Sequence, residues 1–495
     1  MFMFFLSSGL FQGWSLGANN MSNIFGTAVG SRMISFRKAA LICSLAVILG
    51  AVISGAGVTD TLVKLGAVNA LAGAFTVAFA SAVTIFLMTK AGIPVSTSQS
   101  IIGAIVGWNL FSGFLTDPAS LTKIITTWLI CPVLSALFSM AAYLLIVRII
   151  RHYQIHMFKL DSLVRYGLIL VGAFGAYSMG ANNISTVMGV FIPVVPFPPI
   201  SFFGFFTLTA AQQLFLLGGI AIAVGVFTYS KRVILTVGKG IMDLSPVAAF
   251  VAVLSHSLVL FLFASKSLEQ LLLSHGLPAI PLVPVSSSQA IVGAVIGIGL
   301  LKGGRSIQWK TVGSIFIGWI ATPLLAGIIC FVSLFMMQNL FQQKAYEPVT
   351  YVLSSRALQR IDSMGVPTES LGDLVGKEFE SARAFRSALA ARISPSKELE
   401  ALFLDVCLYH KMEISKIKIT AMNRYKVTEE QRQALEKMAG RIFAHTWALD
   451  NLLAESTPAW KVSENNAAHN KQLAAALLYI HDYFKADRRL PETNQ

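Results

Sequence analysis

Of the 495 residues, 55% are hydrophobic and only 13% charged, with a mean hydropathy of +0.67, which lies outside the range of an ordinary soluble chain and marks a polytopic membrane protein. The net charge of +14 is uneven: residues 1–342 hold 17 Lys/Arg against five Asp/Glu, whereas 343–495 hold 21 against 19. A basic excess confined to the apolar part follows the gathering of Lys and Arg in cytoplasmic loops and argues against a nucleic-acid partner.

Residues 1–16 lack a charged lead and a small-residue cleavage site, so they read as the start of a spanning helix rather than a signal peptide. Apolar runs occupy 1–30, 39–57, 66–89, 93–115 and 121–150, each near or above the ~20 residues that cross a bilayer. Arg148, Arg151, Lys159 and Arg165 against a single Asp161 then predict a cytoplasmic loop over 148–165. A second group of five runs follows at 166–195, 204–229, 241–264, 282–301 and 311–342. The runs 121–150 and 311–342 are long for one span and short for two, and 93–115 and 282–301 suit either full crossings or re-entrant hairpins. The four cysteines are scattered, with no disulfide or metal spacing.

The two groups also repeat in sequence. SLGANNMSNIFG (15–26) matches SMGANNISTVMG (178–189), and IPVSTSQSIIGAIVG (93–107) matches VPVSSSQAIVGAVIG (283–297), in the same order. Arg32, Arg37 and Lys38 put the end of the first run inside, and the basic stretch 148–165 puts the start of the sixth run inside. The two Asn motifs are then crossed in opposite senses, as in an inverted-topology repeat. The uncharged stretch 196–203 would be external, and Lys231, Arg232 and Lys239 return the chain to the cytoplasm.

Within the repeats, Gly17 and Gly180 are expected to break their helices, leaving backbone groups and the side chains of Asn19, Asn20, Asn182 and Asn183 to meet a ligand. Polar groups so deep in apolar runs are a functional site by default. Ser96, Thr97, Ser98 and Gln99, and Ser286, Ser287, Ser288 and Gln289, each follow Pro-Val and precede an apolar helix. Their hydroxyls are thereby set at a helix N-terminus, where free N–H groups and the helix dipole favour an anion. No nucleophile, base and orienting-group constellation and no metal cluster appears in 1–342, so an enzyme is not expected.

These residues carry a resemblance. The chain resembles the inorganic phosphate transporter (PiT) family, whose repeated G-A-N-D signature is matched by Gly17-Ala18-Asn19-Asn20 and Gly180-Ala181-Asn182-Asn183. The family's P-x-S-[ST]-[ST]-H segment is matched at 94–99 and 284–289, and its G-K-x-I-x-x-L-x-P segment at Gly238–Pro246. The resemblance implies an oxyanion transporter, working by alternating access, in a cell (inner) membrane. It assigns the four asparagines to the substrate and coupling-ion site, and the serines and Thr97 to the anion. Family members couple uptake to Na+ or H+, and no other cofactor is implied. The chain departs from the pattern with Asn20 and Asn183 in place of aspartate and with Gln99 and Gln289 in place of histidine. With two carboxylates lost, sulfate becomes a competitor to phosphate, and Asp243 is the one acid near a motif, a further coupling-ion candidate. An anion-binding sensor that signals through the tail is the alternative from another class.

The tail, 343–495, is charged and nearly balanced. Ser394-Pro395 and the capping box Thr428-Glu429-Glu430-Gln431 predict helix starts. Apolar residues at 399, 402, 403 and 406, and at 435, 438, 442, 449 and 452, follow helical spacing. About five antiparallel helices are expected, in the cytoplasm, similar to PhoU-type bundles in helix pattern and position; His410 and His445 read as packed or capping residues. The expected fold class is thus all-α: transmembrane repeats at 1–150 and 166–342, a basic loop at 151–165, and a soluble helical bundle at 343–495. The sequence leaves room for a homodimer.

Overall fold

The computed structural model describes residues 2–66, 68–91, 95–195, 197–198, 200–202, 206–237, 241–364, 366, 368–393, 395–420, 422, 427–463 and 467–484. The chain divides into two compact units at Glu347/Pro348. In the first, α1 (Phe2–Gly30), α2 (Phe36–Ser54), α3 (Ala56–Leu65), α4 (Leu71–Lys90), α5 (Thr97–Ser112) and α6 (Pro118–Tyr153) are followed by a second series. This comprises α7 (Met157–Met188), α8 (Ala210–Thr228), α9 (Ser230–Val237), α10 (Pro246–Leu262), α11 (Lys266–Ser274), α12 (Ser287–Leu301) and α13 (Trp309–Asn339). A short antiparallel pair, β1 (Ile200–Phe202) and β2 (Phe206–Leu208), lies between α7 and α8.

Among the described residues, six helices are long and apolar enough to cross a bilayer, and a seventh span results if α10 and α11, bent by 69° at their junction, count as one. The runs that were long for one span are single helices, α6 and α13, each with an interior proline, Pro132 and Pro323. Both expose long rows of apolar side chains, among them Leu129, Leu137 and Leu144 on α6 and Ile317, Leu324 and Ile328 on α13. Such surfaces are stable only against lipid. The basic stretch 151–165 is not a loop. Helix α6 runs to Tyr153 and α7 starts at Met157, so the basic residues sit on helix ends. Long, straight Lys and Arg side chains favour helix, and Arg151 in the last turn of α6 opposes the negative end of its dipole.

Packing in the first unit comes in exchanged pairs. Helix α2 lies on α7 as α8 lies on α1, and α5 lies on α13 as α12 lies on α6. Likewise α4 meets α1, α5 and α13, as α10 meets α7, α12 and α6. Glycines permit the closest of these approaches. A Cβ on Gly103 would stand 2.1 Å from the Pro323 carbonyl oxygen, and one on Gly293 would stand 2.1 Å from that of Pro132. The same contact is made twice, once in each series.

The expected helix breaks at the Asn motifs are absent. Helices α1 and α7 run unbroken through Gly17 and Gly180. A Cβ on Gly17 would fall 2.0 Å from the Ile222 carbonyl oxygen on α8, and one on Gly180 would fall 2.2 Å from that of Val47 on α2. These glycines serve close helix crossing, which a lone sequence cannot separate from helix breaking, because both exploit the missing Cβ.

The second unit is mostly helical but finer-grained than five long helices. Its described part has α14 (Ser355–Ser363), α15 (Ala382–Ala390), α16 (Lys397–Val406), α17 (Lys416–Thr420), α18 (Glu429–Glu436), α19 (Thr446–Ser456) and α20 (Ala467–Phe484). Strand β3 (Tyr351–Val352) pairs antiparallel with β4 (Glu378–Phe379), and β5 (Met412–Glu413) with β6 (Ile442–Phe443). Two cores form, one around Phe385, Leu389 and Phe403, the other around Leu449, Trp460 and Ile480. The Thr428–Gln431 capping box is made, whereas the cap before α16 is Ser396, Ser394 lying outside the described residues. Ile442 is an exposed strand residue rather than part of a helix stripe. His445 packs face to face on Trp447 and bonds the Ser354 hydroxyl and the Leu408 carbonyl, as a buried structural histidine does.

Candidate functional site

Ser96 and Ser286 stop the extended chain and start α5 and α12. Their backbones are nearly identical (φ −98°, ψ 116° and φ −89°, ψ 113°), and each side chain accepts from the N–H three residues on, Gln99 at 3.3 Å and Gln289 at 3.2 Å. Capping therefore occupies these two hydroxyl oxygens. Thr97, Ser98, Ser287 and Ser288 line the first turns beyond them. At 16 and 15 residues, α5 and α12 extend only about 24 and 22 Å, short of the ~30 Å hydrocarbon core. Both helices thus begin inside the apolar unit with their positive dipole ends buried.

The asparagines of α1 and α7 bind the extended segments ahead of these caps. Asn19 Nδ2 donates to the Val95 carbonyl at 3.4 Å and to Asn20 Oδ1 at 3.1 Å. Asn182 Nδ2 donates to the Val283 carbonyl at 3.1 Å, and its Oδ1 accepts from the Val285 N–H at 2.9 Å. The two series then meet directly. Ser288 Oγ donates to the Val95 carbonyl at 2.7 Å, and Asn23 Nδ2 on α1 donates to Ser287 Oγ at 3.2 Å. In the first series Ser96 and Ser98 pair their hydroxyls at 3.1 Å. All twelve expected substrate-site residues are buried, each at 6% exposure or less, and these bonds engage all of them but Thr97 and Asn183.

The network is not closed. Among the described residues, both amide atoms of Asn183 are buried without a hydrogen-bond partner, as are the Oε1 atoms of Gln99 and Gln289. An orphaned buried polar atom costs about 1–3 kcal/mol, and a fold holding several together has them available for a guest. The unpartnered atoms are one donor, Asn183 Nδ2, and three acceptors, Asn183 Oδ1 and the two glutamine Oε1 atoms; hydroxyls and helix-end N–H groups add donors, and no carboxylate stands among the twelve. Chemically, the arrangement suits a compact anion whose charge is met by dipoles.

Asp243 is not part of it. It is exposed in the segment before α10, while Gly238, Lys239 and Gly240 of the same motif lie outside the described residues, as does Pro94. Several residues belong to the network without having been singled out. Asn23 falls inside the first repeated motif but stands opposite Thr186 in the second, so matching the copies hides it. Gln12 on α1 donates to Ser81 Oγ on α4 at 2.9 Å, and Ser100 Oγ donates to the Ser81 carbonyl at 3.1 Å. His256 on α10, fully buried, has Nε2 2.7 Å from Ser287 Oγ. Its one sequence signal is to be the histidine lodged within an apolar run.

The sequence pattern of the phosphate transporter family matches residues 16–330 and again 281–443. A protein of Methanocaldococcus jannaschii that carries the name "putative phosphate permease" is 30% identical over 318 residues, covering 64% of this chain and 91% of its own. The chloroplastic inorganic phosphate transporter 2-1 of Arabidopsis thaliana is 24% identical over 416 residues, covering 63% and 68%. A solved structure titled as the sodium-dependent phosphate transporter shares the fold, with a TM-score of 0.52 at 22% identity, over 67% of this chain and 98% of that one. The chain is a multi-pass membrane protein and not an enzyme; it belongs to the phosphate transporter family.

Proposed function

We propose that the protein is a secondary active transporter of inorganic phosphate that works by alternating access between two inverted-topology repeats, α1–α6 and α7–α13. The observation that carries this reading is the meeting of two serine-capped helix N-termini with four buried asparagines, two of whose amide atoms, on Asn183, have no partner. Thr97, Ser98 and Ser287 and the helix-end N–H groups bind the anion, Ser288 joining them once its hydroxyl leaves the Val95 carbonyl, and Asn20 and Asn183 bind the anion or a coupling Na+, a carboxamide having no affinity for H+ near neutral pH. The exchanged packing of the series supports two states related by swapping their roles, as alternating access requires. The second unit is read as a PhoU-like regulatory domain.

One observation favours sulfate as a second reading. No carboxylate stands among the twelve residues, so a fully ionised oxyanion meets no like charge there, although the unpartnered amide oxygens can still accept the proton of monohydrogen phosphate. Uptake of labelled phosphate into proteoliposomes, with sulfate as competitor and with Na+ or a pH gradient imposed in turn, tests both. Phosphate accumulation driven by either gradient is expected. Sulfate uptake without phosphate uptake would overturn the first reading, and binding without flux would make the protein a sensor.

A further inference from the structure

Ser287 has one hydroxyl proton and two neighbours. Asn23 Nδ2 donates to its oxygen at 3.2 Å, and His256 Nε2 stands 2.7 Å away. In the tautomer with the imidazole proton on Nδ1, the Nε2 lone pair accepts the hydrogen bond of the Ser287 hydroxyl, and Ser287 has nothing left to give an anion. His256 Nδ1 is itself buried without a partner. We propose that His256 is the proton-binding group of the anion site, releasing the Ser287 hydroxyl to the anion when its ring is protonated. The proposal rests on the anion-transport reading above.

The step balances without breaking a covalent bond other than to a proton. A proton from water binds Nε2, which becomes a donor toward Ser287 Oγ. That oxygen accepts from both Asn23 and the imidazolium, and its own hydrogen turns from the ring to an oxygen of the anion. The ring's positive charge and the anion's negative charge then enter the apolar unit together, each offsetting the other's desolvation. By linkage, protonation raises anion affinity, and the anion raises proton affinity by the same factor.

The surroundings of His256 leave it to act alone. Its helix packs against α1, α6, α7 and α12. Helices α1 and α12 carry no charged residue, and those of α6 and α7, namely Lys123, Arg148, Arg151, Lys159, Asp161 and Arg165, are all exposed. The remaining interior titratable groups are engaged elsewhere: the Cys131 thiol with the Ser286 carbonyl, Tyr143 beneath the Lys302 ammonium, and Tyr177 with the Ser54 hydroxyl. The rest, His152, Tyr153 and Tyr166, are exposed. At the position where His256 meets α12 in the second series, α4 meets α5 in the first through Ser81, whose carbonyl accepts from Ser100. The proton-binding group is therefore present in one series only.

The test is labelled-phosphate uptake by full-length protein in proteoliposomes at several values between about pH 5 and 8. Because phosphate titrates in the same range, the readout is the ratio of acidic to alkaline uptake in wild type divided by that ratio in His256→Gln. A quotient of about tenfold is expected, the effect of one added hydrogen bond to a charged group. A quotient of one, with phosphate carried by both proteins, would overturn the proposal. Absence of phosphate uptake by wild type at every pH would instead sink the transport reading. Should His256→Gln fail to fold, Ser287→Ala serves, since it keeps the ring and removes the relay. A wild-type acid-to-alkaline ratio in Ser287→Ala would likewise overturn the proposal.

Discussion

Replacing Gly180 with alanine separates two explanations of the glycine in the repeated motif. If it were there to break α7, alanine would mend the helix and stabilise it by up to about 1 kcal/mol. The structure predicts the opposite. The new Cβ would stand 2.2 Å from the Val47 carbonyl oxygen and 3.0 Å from the Ala51 nitrogen, both backbone atoms of α2 that no rotamer change can move aside. Restoring ordinary contact requires α2 and α7 to separate by about 1 Å. Overpacking of this kind costs about 1–3 kcal/mol. A shift of that size also stretches the 3.1 and 2.9 Å bonds from Asn182 to the Val283–Val285 segment, each worth about 1 kcal/mol. The expected net effect of Gly180→Ala is therefore destabilisation by about 1–4 kcal/mol after the helix-propensity gain, with loss of phosphate uptake. Melting of the detergent-solubilised protein and uptake in proteoliposomes measure the two parts. Gly26→Ala is the control, because its Cβ would meet only Ser22 Cβ at an ordinary 3.7 Å, so it should be neutral or slightly stabilising. A Gly180→Ala protein that melts at or above wild type and still carries phosphate would refute the close-crossing argument.

Asn183→Ala should raise the melting temperature of the anion-free protein while lowering phosphate affinity tenfold or more, since it removes two buried, unpartnered polar atoms, of which the Nδ2 donor would meet an anion oxygen; isothermal titration and melting should therefore move in opposite directions. Asn20→Asp keeps the acceptor that Asn19 Nδ2 meets at 3.1 Å, so the protein should fold and gain Na+-stimulated uptake; uptake indifferent to Na+ would count against a coupling role at this position. In the second unit, burial holds the pKa of His445 below its ordinary value, the bond to the Leu408 carbonyl opposing it. The folded state thus favours the neutral ring, so the stability it contributes is complete above about pH 6.5 and declines as pH falls toward the folded pKa. His445→Gln should flatten that decline, which pH-dependent limited proteolysis of the second unit would register.

Much of this was legible before any coordinates, because duplication makes a weak motif strong. The serine caps, the capping box at Thr428 and the convergence of the Asn and Ser motifs all rest on local chemistry repeated twice or on a fixed i to i+3 spacing. What escaped depends on a neighbour that sequence does not name. Gly17 and Gly180 read as helix breakers until the carbonyls of Ile222 and Val47 are set against them. Asn23 and His256 escaped because comparing the two copies rewards sameness, and both lie where the series differ. The basic stretch at 151–165 read as a loop because charge reports which side of a membrane a segment lies on, but not whether its backbone is helical there.

The exchanged packing has a consequence for how the protein is made. Helix α1 rests on α8, α2 on α7, α5 on α13 and α6 on α12, so these four helices leave the ribosome before their principal partners exist. The face of Gly50 stays open to lipid or to a chaperone until Tyr177 has been synthesised, that of Gly17 until Ile222 and that of Gly103 until Pro323, the residues whose backbone atoms they later admit. A nascent chain stalled after Tyr153 is therefore an orphan for membrane quality control rather than a half-size transporter. The same logic predicts that two halves translated from separate messages assemble, each completing the other's unfinished surfaces, which uptake by the co-expressed halves would check.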